Sequence, residues 1–174
     1  MSNYPYSQDL SGKMIGGTKA FGLPVASDTQ LFPLGCELYD DEGRGTLYRY
    51  VRATASPISA GNVVSYDGGP LTVSQTAASA DGVALRAGVA PYAFAASQYG
   101  FIAVSGFVTG VAASGTINPG DILVPDVASA GHVIALAPAG AYAQADAVAA
   151  LNRIGIAGGT ASGGVVIVML QGLL

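Results

Sequence analysis

The chain has 174 residues, of which 51% are apolar and only 10% charged, with 25 glycines, 9 prolines and no tryptophan. Seven Lys and Arg against eleven Asp and Glu leave a formal charge of −4, which excludes the basic stripe a nucleic-acid binder needs. A single cysteine and a single histidine exclude a disulfide framework and a four-ligand zinc site.

This length fits one domain, or two small ones packed together, with enough residues for a real core. A mean hydropathy of +0.46 raises the question of a membrane. The longest apolar runs do not support one. Residues 101–113 are interrupted by Ser105, Gly106, Thr109 and Gly110. Residues 165–174 fall well short of the roughly 20 apolar residues a spanning helix needs. The first ten residues, MSNYPYSQDL, lack the basic and apolar regions of a signal peptide, so a soluble chain made in the cytoplasm is expected. Ordinary globular chains carry about 25% charged residues. A soluble chain with so few must hide much of its surface, which points to an obligate assembly.

Residues 1–35 are rich in Gly, Ser, Pro and Asp and show no helical or strand period. They are expected to form an extended N-terminal arm ahead of a β-rich domain over 36–174. The arm carries four spaced aromatics, Tyr4, Tyr6, Phe21 and Phe32, and the chain's two lysines, Lys13 and Lys19. These six residues are the candidate partner contacts, since an arm that orders on a partner would anchor through its rings.

From Cys36 onward the pattern is strand. Residues 47–52 are aromatic and β-branched, and the polar turn Asp40–Gly45 before them makes a hairpin. Further strands are expected over 62–66, 71–73, 101–104, 107–111, 121–124, 132–136, 154–157 and 165–170, with glycine-rich turns between them. That spacing predicts an all-β barrel or sandwich. The last strand is apolar at every position and is expected to be buried on both faces. Only Ala143–Leu151 resembles a helix, and it is barely two turns of alanine-rich sequence.

An internal echo divides the domain. Ile58-Ser-Ala-Gly61-Asn62-Val63-Val64 recurs as Ile117-Asn-Pro-Gly120-Asp121-Ile122-Leu123, and Gly88-Val89-Ala90 recurs as Gly155-Ile156-Ala157. Each set ends in an apolar strand opened by glycine, at Gly100 and at Gly164. Two similar β units are therefore predicted, each supplying half of the fold. Beyond Arg86 the only charges are Asp121, Asp126, Asp146 and Arg153, so the second unit is expected to face other protein on several sides.

At this repeat the chain resembles the head-decoration (cement) proteins of tailed phages. The shared pattern is I-x-x-G-D-x-L, a glycine turn, a strand, G-x-A, a glycine pair and a terminal apolar strand. Here it reads Ile117–Leu123, Gly131–Leu136, Ile154–Ala157, Gly163-Gly164 and Val165–Leu170, with Phe101–Gly106 matching the central strand. The resemblance covers residues 45–174, and the arm is longer than in the shortest members. It implies a homotrimer on the capsid surface that bridges major capsid subunits, in a virion assembled in the host cytoplasm. Independently of the resemblance, the charge, the short apolar runs and the lack of a ligand set lead to the expectation of no cofactor, no nucleic acid and no membrane. A trimeric tail-fibre or receptor-binding module is the alternative, although the later loops carry small residues rather than exposed polar or aromatic clusters.

Catalytic chemistry has little to work with. His132, after the turn at Gly131, is the one possible base, and a surface or interface histidine is the commoner role. Asp40-Asp41-Glu42 lacks the alternating ligands of a calcium loop. The glycine run 158–164 lacks the lysine and the following helix of a phosphate loop. Gly120-Asp121-Ile122-Leu123 resembles the turn of lipoyl carrier domains, but no lysine follows Lys19 to take a cofactor. A non-enzymatic protein is expected.

Overall fold

The computed structural model describes residues 7–8, 13–15, 24–40, 45–69, 71–75, 86–126, 128–136 and 153–171. Among these residues there are twelve strands and no helix. The strands are β1 (Ser7–Gln8), β2 (Lys13–Ile15), β3 (Glu37–Asp40), β4 (Thr46–Ala53), β5 (Val63–Tyr66), β6 (Thr72–Gln75), β7 (Arg86–Val89), β8 (Tyr99–Ala112), β9 (Ile122–Pro125), β10 (Val133–Ala135), β11 (Gly155–Ala157) and β12 (Val165–Leu170). The helix expected over 143–151 and the acidic tip at Asp41-Glu42 lie outside the described residues. The hairpin that leads into that tip forms as expected, with Glu37 opposite Arg49 and Asp40 opposite Thr46.

Five strands close on themselves. β4 pairs with β6 in parallel, and β6 with β5, β5 with β7, β7 with β8 and β8 with β4 in antiparallel fashion. This barrel leaves no free edge among its own strands. Its interior holds Val51, Ala53, Ile58, Val64, Val73, Ala87, Ala90, Phe94, Ile102 and Val104.

The second unit repeats the arrangement. The far half of β8 pairs with β12, then β12 with β11, β11 with β9 and β9 with β10. A parallel bridge from Ala113 to Val133 brings β10 back to the end of β8. The hydrogen bonds align the two units residue by residue. Gly61 N–H donates to Ala90 O as Gly120 N–H does to Ala157 O, and Thr54 N–H donates to Val73 O as Ser114 N–H does to Val133 O. The buried residues follow the same alignment: Val111, Ala113, Ile117, Leu123, Val133, Ile154, Ala157, Val168 and Leu170 take the places of Val51, Ala53, Ile58, Val64, Val73, Ala87, Ala90, Ile102 and Val104.

The echo read from the sequence is therefore a duplicated barrel. Its last strand pairs two residues away from the glycine-to-glycine match: Ala53 N–H donates to Gln98 O and Ala113 N–H to Gly164 O. A shift of two keeps every side chain on its face.

The shared turns explain part of the glycine pattern. Asn62 N–H reaches back to Ser59 O and Asp121 N–H to Asn118 O, each closing a four-residue turn. The third residue of each turn, Gly61 at φ +80° and Gly120 at φ +88°, takes the left-handed conformation that a type II turn requires. Pro119 holds the preceding position in the second copy, where its ring presets φ.

β8 belongs to both barrels. It runs as one strand where two were expected, with Gly106 at its middle so close to Gly45 and Thr46 that a side chain would strike their backbone. Around this shared strand the units are bonded together. Ala112 N–H donates to Gly61 O at 2.9 Å and Val63 N–H to Gly131 O at 2.8 Å. Gln75 Nε2 donates to Ala130 O at 2.6 Å, and Arg86 Nη1 to Arg153 O at 2.9 Å. Burial at this joint pulls the Arg86 guanidinium down to about 10.

One expectation about the core is corrected. β12 is buried on one face only: Val166, Val168 and Leu170 point into the barrel, while Val165, Ile167 and Met169 point outward and are exposed. An unbroken apolar run cannot show which face is covered. Here the outward side chains stay 36–48% exposed.

Candidate functional site

The expected contact residues fall in different settings. Lys13 lies in β2, whose backbone pairs in parallel with β3, Lys13 opposite Glu37. Tyr4, Tyr6, Lys19 and Phe21 lie outside the described residues. Phe32 is 9% exposed and sits 5.3 Å from the Tyr50 ring and 5.4 Å from Phe101. Those rings pack in turn on each other and on Tyr99.

Residues 24–36 thus form a strap along the first barrel. Ser27 and Tyr99 exchange both backbone hydrogen bonds at 2.9 Å, and Gly35 N–H donates to Tyr50 O at 2.8 Å. The Tyr50 hydroxyl accepts the Leu31 N–H at 3.0 Å, and burial pushes this phenol up. The strap has no periodicity because single residues, not a face, dock it. Its Pro, Gly and Ser composition conceals that role in the sequence.

The strongest chemical grouping was not foreseen beyond its histidine. Ser114 Oγ lies 3.1 Å from His132 Nδ1, and the Ser114 hydroxyl also bonds the buried carboxylate of Asp126. The three come from the end of β8, the end of β9 and the start of β10. Burial acts to raise the pKa of Asp126. Hydrogen bonds from Ser114, the Ala128 N–H at 2.8 Å and Ser129, with His132 nearby, outweigh it and hold the carboxyl below its ordinary value.

The order of the groups decides what they can do. In a nucleophilic relay the imidazole stands between carboxylate and hydroxyl and takes the hydroxyl's proton. Here the serine, not the imidazole, stands in the middle, 3.1 Å from His132 Nδ1 on one side and bonded to the Asp126 carboxylate on the other. The matching turn of the first barrel is closed in the same way, Asp67 N–H to Thr72 O and Asp126 N–H to His132 O, with Thr54 in the place of Ser114. The grouping braces a hairpin. Among the described residues no three His, Cys, Asp or Glu side chains come together as metal ligands.

What remains is surface. A row of apolar side chains crosses four strands of the second barrel, Phe107 on β8 beside Met169 on β12, then Ile156 on β11, then Ile122 on β9. Val165 and Ile167 extend it along β12. A second set of exposed apolar residues, Val25 and Leu31 on the strap and Tyr39 on β3, lies on the segments flanking the first barrel.

No family model matches the chain, and no curated protein matches it. Among solved structures it is similar to the N base of head fiber gp8.5 of bacteriophage phi29, at 16% identity and a TM-score of 0.48, over 74% of this chain and 98% of that one.

Proposed function

We propose that the chain is a structural, non-enzymatic component of a tailed-phage head, set on the capsid surface as a homotrimer that bridges neighbouring major capsid subunits. The observation that carries this reading is the duplicated barrel itself. Two glycines of the decoration-protein pattern have a structural task in it: Gly120 turns the chain into β9, and Gly155 lets β12 approach β11. The likeness to the phi29 head fiber base is one of fold, and the reading stands on the sequence pattern, the sparse charge and the apolar surfaces.

The mechanism is mechanical. A trimer that contacts several shell subunits adds its binding free energy to theirs, and that energy must be lost before the subunits separate. The arm, through Tyr4, Tyr6, Phe21, Lys13 and Lys19, makes the shell contact. Aromatic rings give large contact areas with few rotatable bonds, and the lysines pair with acidic groups on the shell. The Ser114–His132–Asp126 grouping takes no part in chemistry.

Immunogold labelling of the parent particle tests the reading. Label spread over the head is the expected result. Label confined to the tail or its fibres would replace this reading with a receptor-binding one.

A further inference from the structure

β9 lies between β10 and β11, and each pairs with it in antiparallel fashion, so β10 and β11 run parallel to each other. The chain leaves β10 at Leu136, whose N–H donates to Ile122 O, and enters β11 at Ile154, whose N–H donates to Leu123 O, each at 2.8 Å. A connection between two such parallel strands has to pass over one face of the sheet. The inner face is closed to it, because Leu123, Val133 and Ile154 are 0% exposed and fill the barrel. The crossing therefore runs over the outer face, where Ile122 is 39% exposed and Met169, two strands on, is 48% exposed.

We propose that residues 137–152, which lie outside the described residues, pack on the outer face of β9, β11 and β12 and bury Ile122, Ile156 and Met169. The ends of this link stand about 12 Å apart, two strand spacings across and about two residues along, and about four extended residues would span that. The link has sixteen. Eleven of them are apolar and Asp146 is the only charge, so most of its length gains by leaving water. Eight are alanine, whose small side chain lets a backbone lie close on a sheet.

The first barrel supplies the comparison. Its link makes the same crossing of β5, from β6 to β7, with 13 residues between Val73 and Ala87 against 20 between Val133 and Ile154. There the outward Val63 and Val89 are already 0% exposed, buried in the apolar cluster of the second barrel. The longer link belongs to the barrel whose face is left open. This contact is made within one chain, and it holds whether or not the protein sits on a capsid.

Methyl NMR on the full chain reads the contact directly. Cross-peaks are expected from the Val148 and Leu151 methyls to those of Ile122 and Ile156. They should persist when labelled protein is mixed with an excess of unlabelled protein, as contacts within one chain do. Oxidation of Met169 by dilute peroxide, followed on its own peptide, gives a second reading. Its rate should be the same at every protein concentration, with or without undecorated heads, and several-fold faster once residues 137–152 are replaced by sixteen Gly and Ser residues.

Cross-peaks lost on mixing, or a wild-type rate that falls with concentration, would give the face to a second copy. A rate that falls only when heads are added would give it to the shell. Either result overturns the inference, as do missing cross-peaks or a Gly/Ser variant that oxidises no faster than wild type, and the proposed head protein survives each of them.

Discussion

Alanine at Gly155 separates two reasons for which this chain uses glycine. In β11 a Cβ at Gly155 would sit on the carbonyl oxygen of Met169 and 2.9 Å from Val168 Cγ1. Both neighbours belong to β12, the adjacent strand, so the clash is relieved only by moving the sheet. Overpacking of this kind costs about 1–3 kcal/mol, and a weakened ladder hydrogen bond adds about 1 kcal/mol. Gly163, in the turn that leads from β11 to β12, has φ +60° and open space around it. Alanine there meets only the left-handed penalty of about 1–2 kcal/mol, part of which is offset by about 0.4–1 kcal/mol of lost unfolded-state freedom.

The same offset applies at Gly155, so the expected net costs are about 2 kcal/mol for Gly155→Ala and about 1 kcal/mol for Gly163→Ala. For a chain of this size each kcal/mol moves Tm by about 2–4 °C, so the shifts are about 4–8 °C and about 2–4 °C. Calorimetry at one fixed protein concentration measures both, since Tm of an oligomer depends on concentration. Gly88→Ala, which would place a Cβ on the Ala103 carbonyl oxygen at a φ of +155°, should cost at least as much as Gly155→Ala. Equal shifts for Gly155→Ala and Gly163→Ala would refute the claim that the G-x-A motif exists to bring two strands together.

Three further outcomes follow from the same geometry. Because the folded pKa of Asp126 is depressed, its stabilisation is present above the unfolded value of about 3.9 and is lost as pH falls toward the folded value; urea titrations over that range should show a flatter acid loss for Asp126→Asn than for wild type. Phe32→Ala removes a ring packed on Tyr50 and Phe101 and should cost about 3–4 kcal/mol, whereas Leu31→Ala, on an exposed neighbour, should stay within about 0.5 kcal/mol in the same melts. Removing residues 1–23 takes away the β2–β3 ladder and should lower Tm slightly as well as weaken binding to undecorated heads, while removing 1–35 should lower Tm by several degrees more, because it also takes away Phe32 and the Ser27–Tyr99 pairing.

Local chemistry was the legible part. The turns at Gly61 and Gly120 announce themselves through Pro, Ala, Asn and Asp around a glycine, and the strands between them through β-branched runs. The duplication was visible for the same reason, since each copy must repeat those turns. Closure was not visible. It depends on a parallel pairing of Arg52 with Thr72 and of Ala113 with Val133, contacts that local patterns do not encode. The strap was hidden because Phe32 finds its pocket only after Tyr50 and Phe101 have been brought together. Of the Ser114–His132–Asp126 grouping only the histidine stood out, since the serine and the carboxylate are common residues from other segments. The outward face of β12 was misread as buried because Val165, Ile167 and Met169 are as apolar as their inward neighbours.

Comparing the two units position by position gives the sparse charge a location. Where the units do the same work the residues agree in kind: Val51 and Val111, Ile58 and Ile117, Val73 and Val133 line the two interiors. On the outer surface of the shared barrel wall they diverge. Arg52 and Tyr99, which stack at 5.6 Å on the first barrel, correspond to Ala112 and Val165 on the second. On the other face of β4, that of Val51 and Ala53, Arg49 bonds Glu37 and the Tyr66 hydroxyl and likewise has no charged counterpart on the far half of β8. The first barrel thus keeps polar groups on the wall where strap and solvent meet it. The second replaces them with small and aliphatic side chains on the wall that carries Val165, Ile167 and Met169.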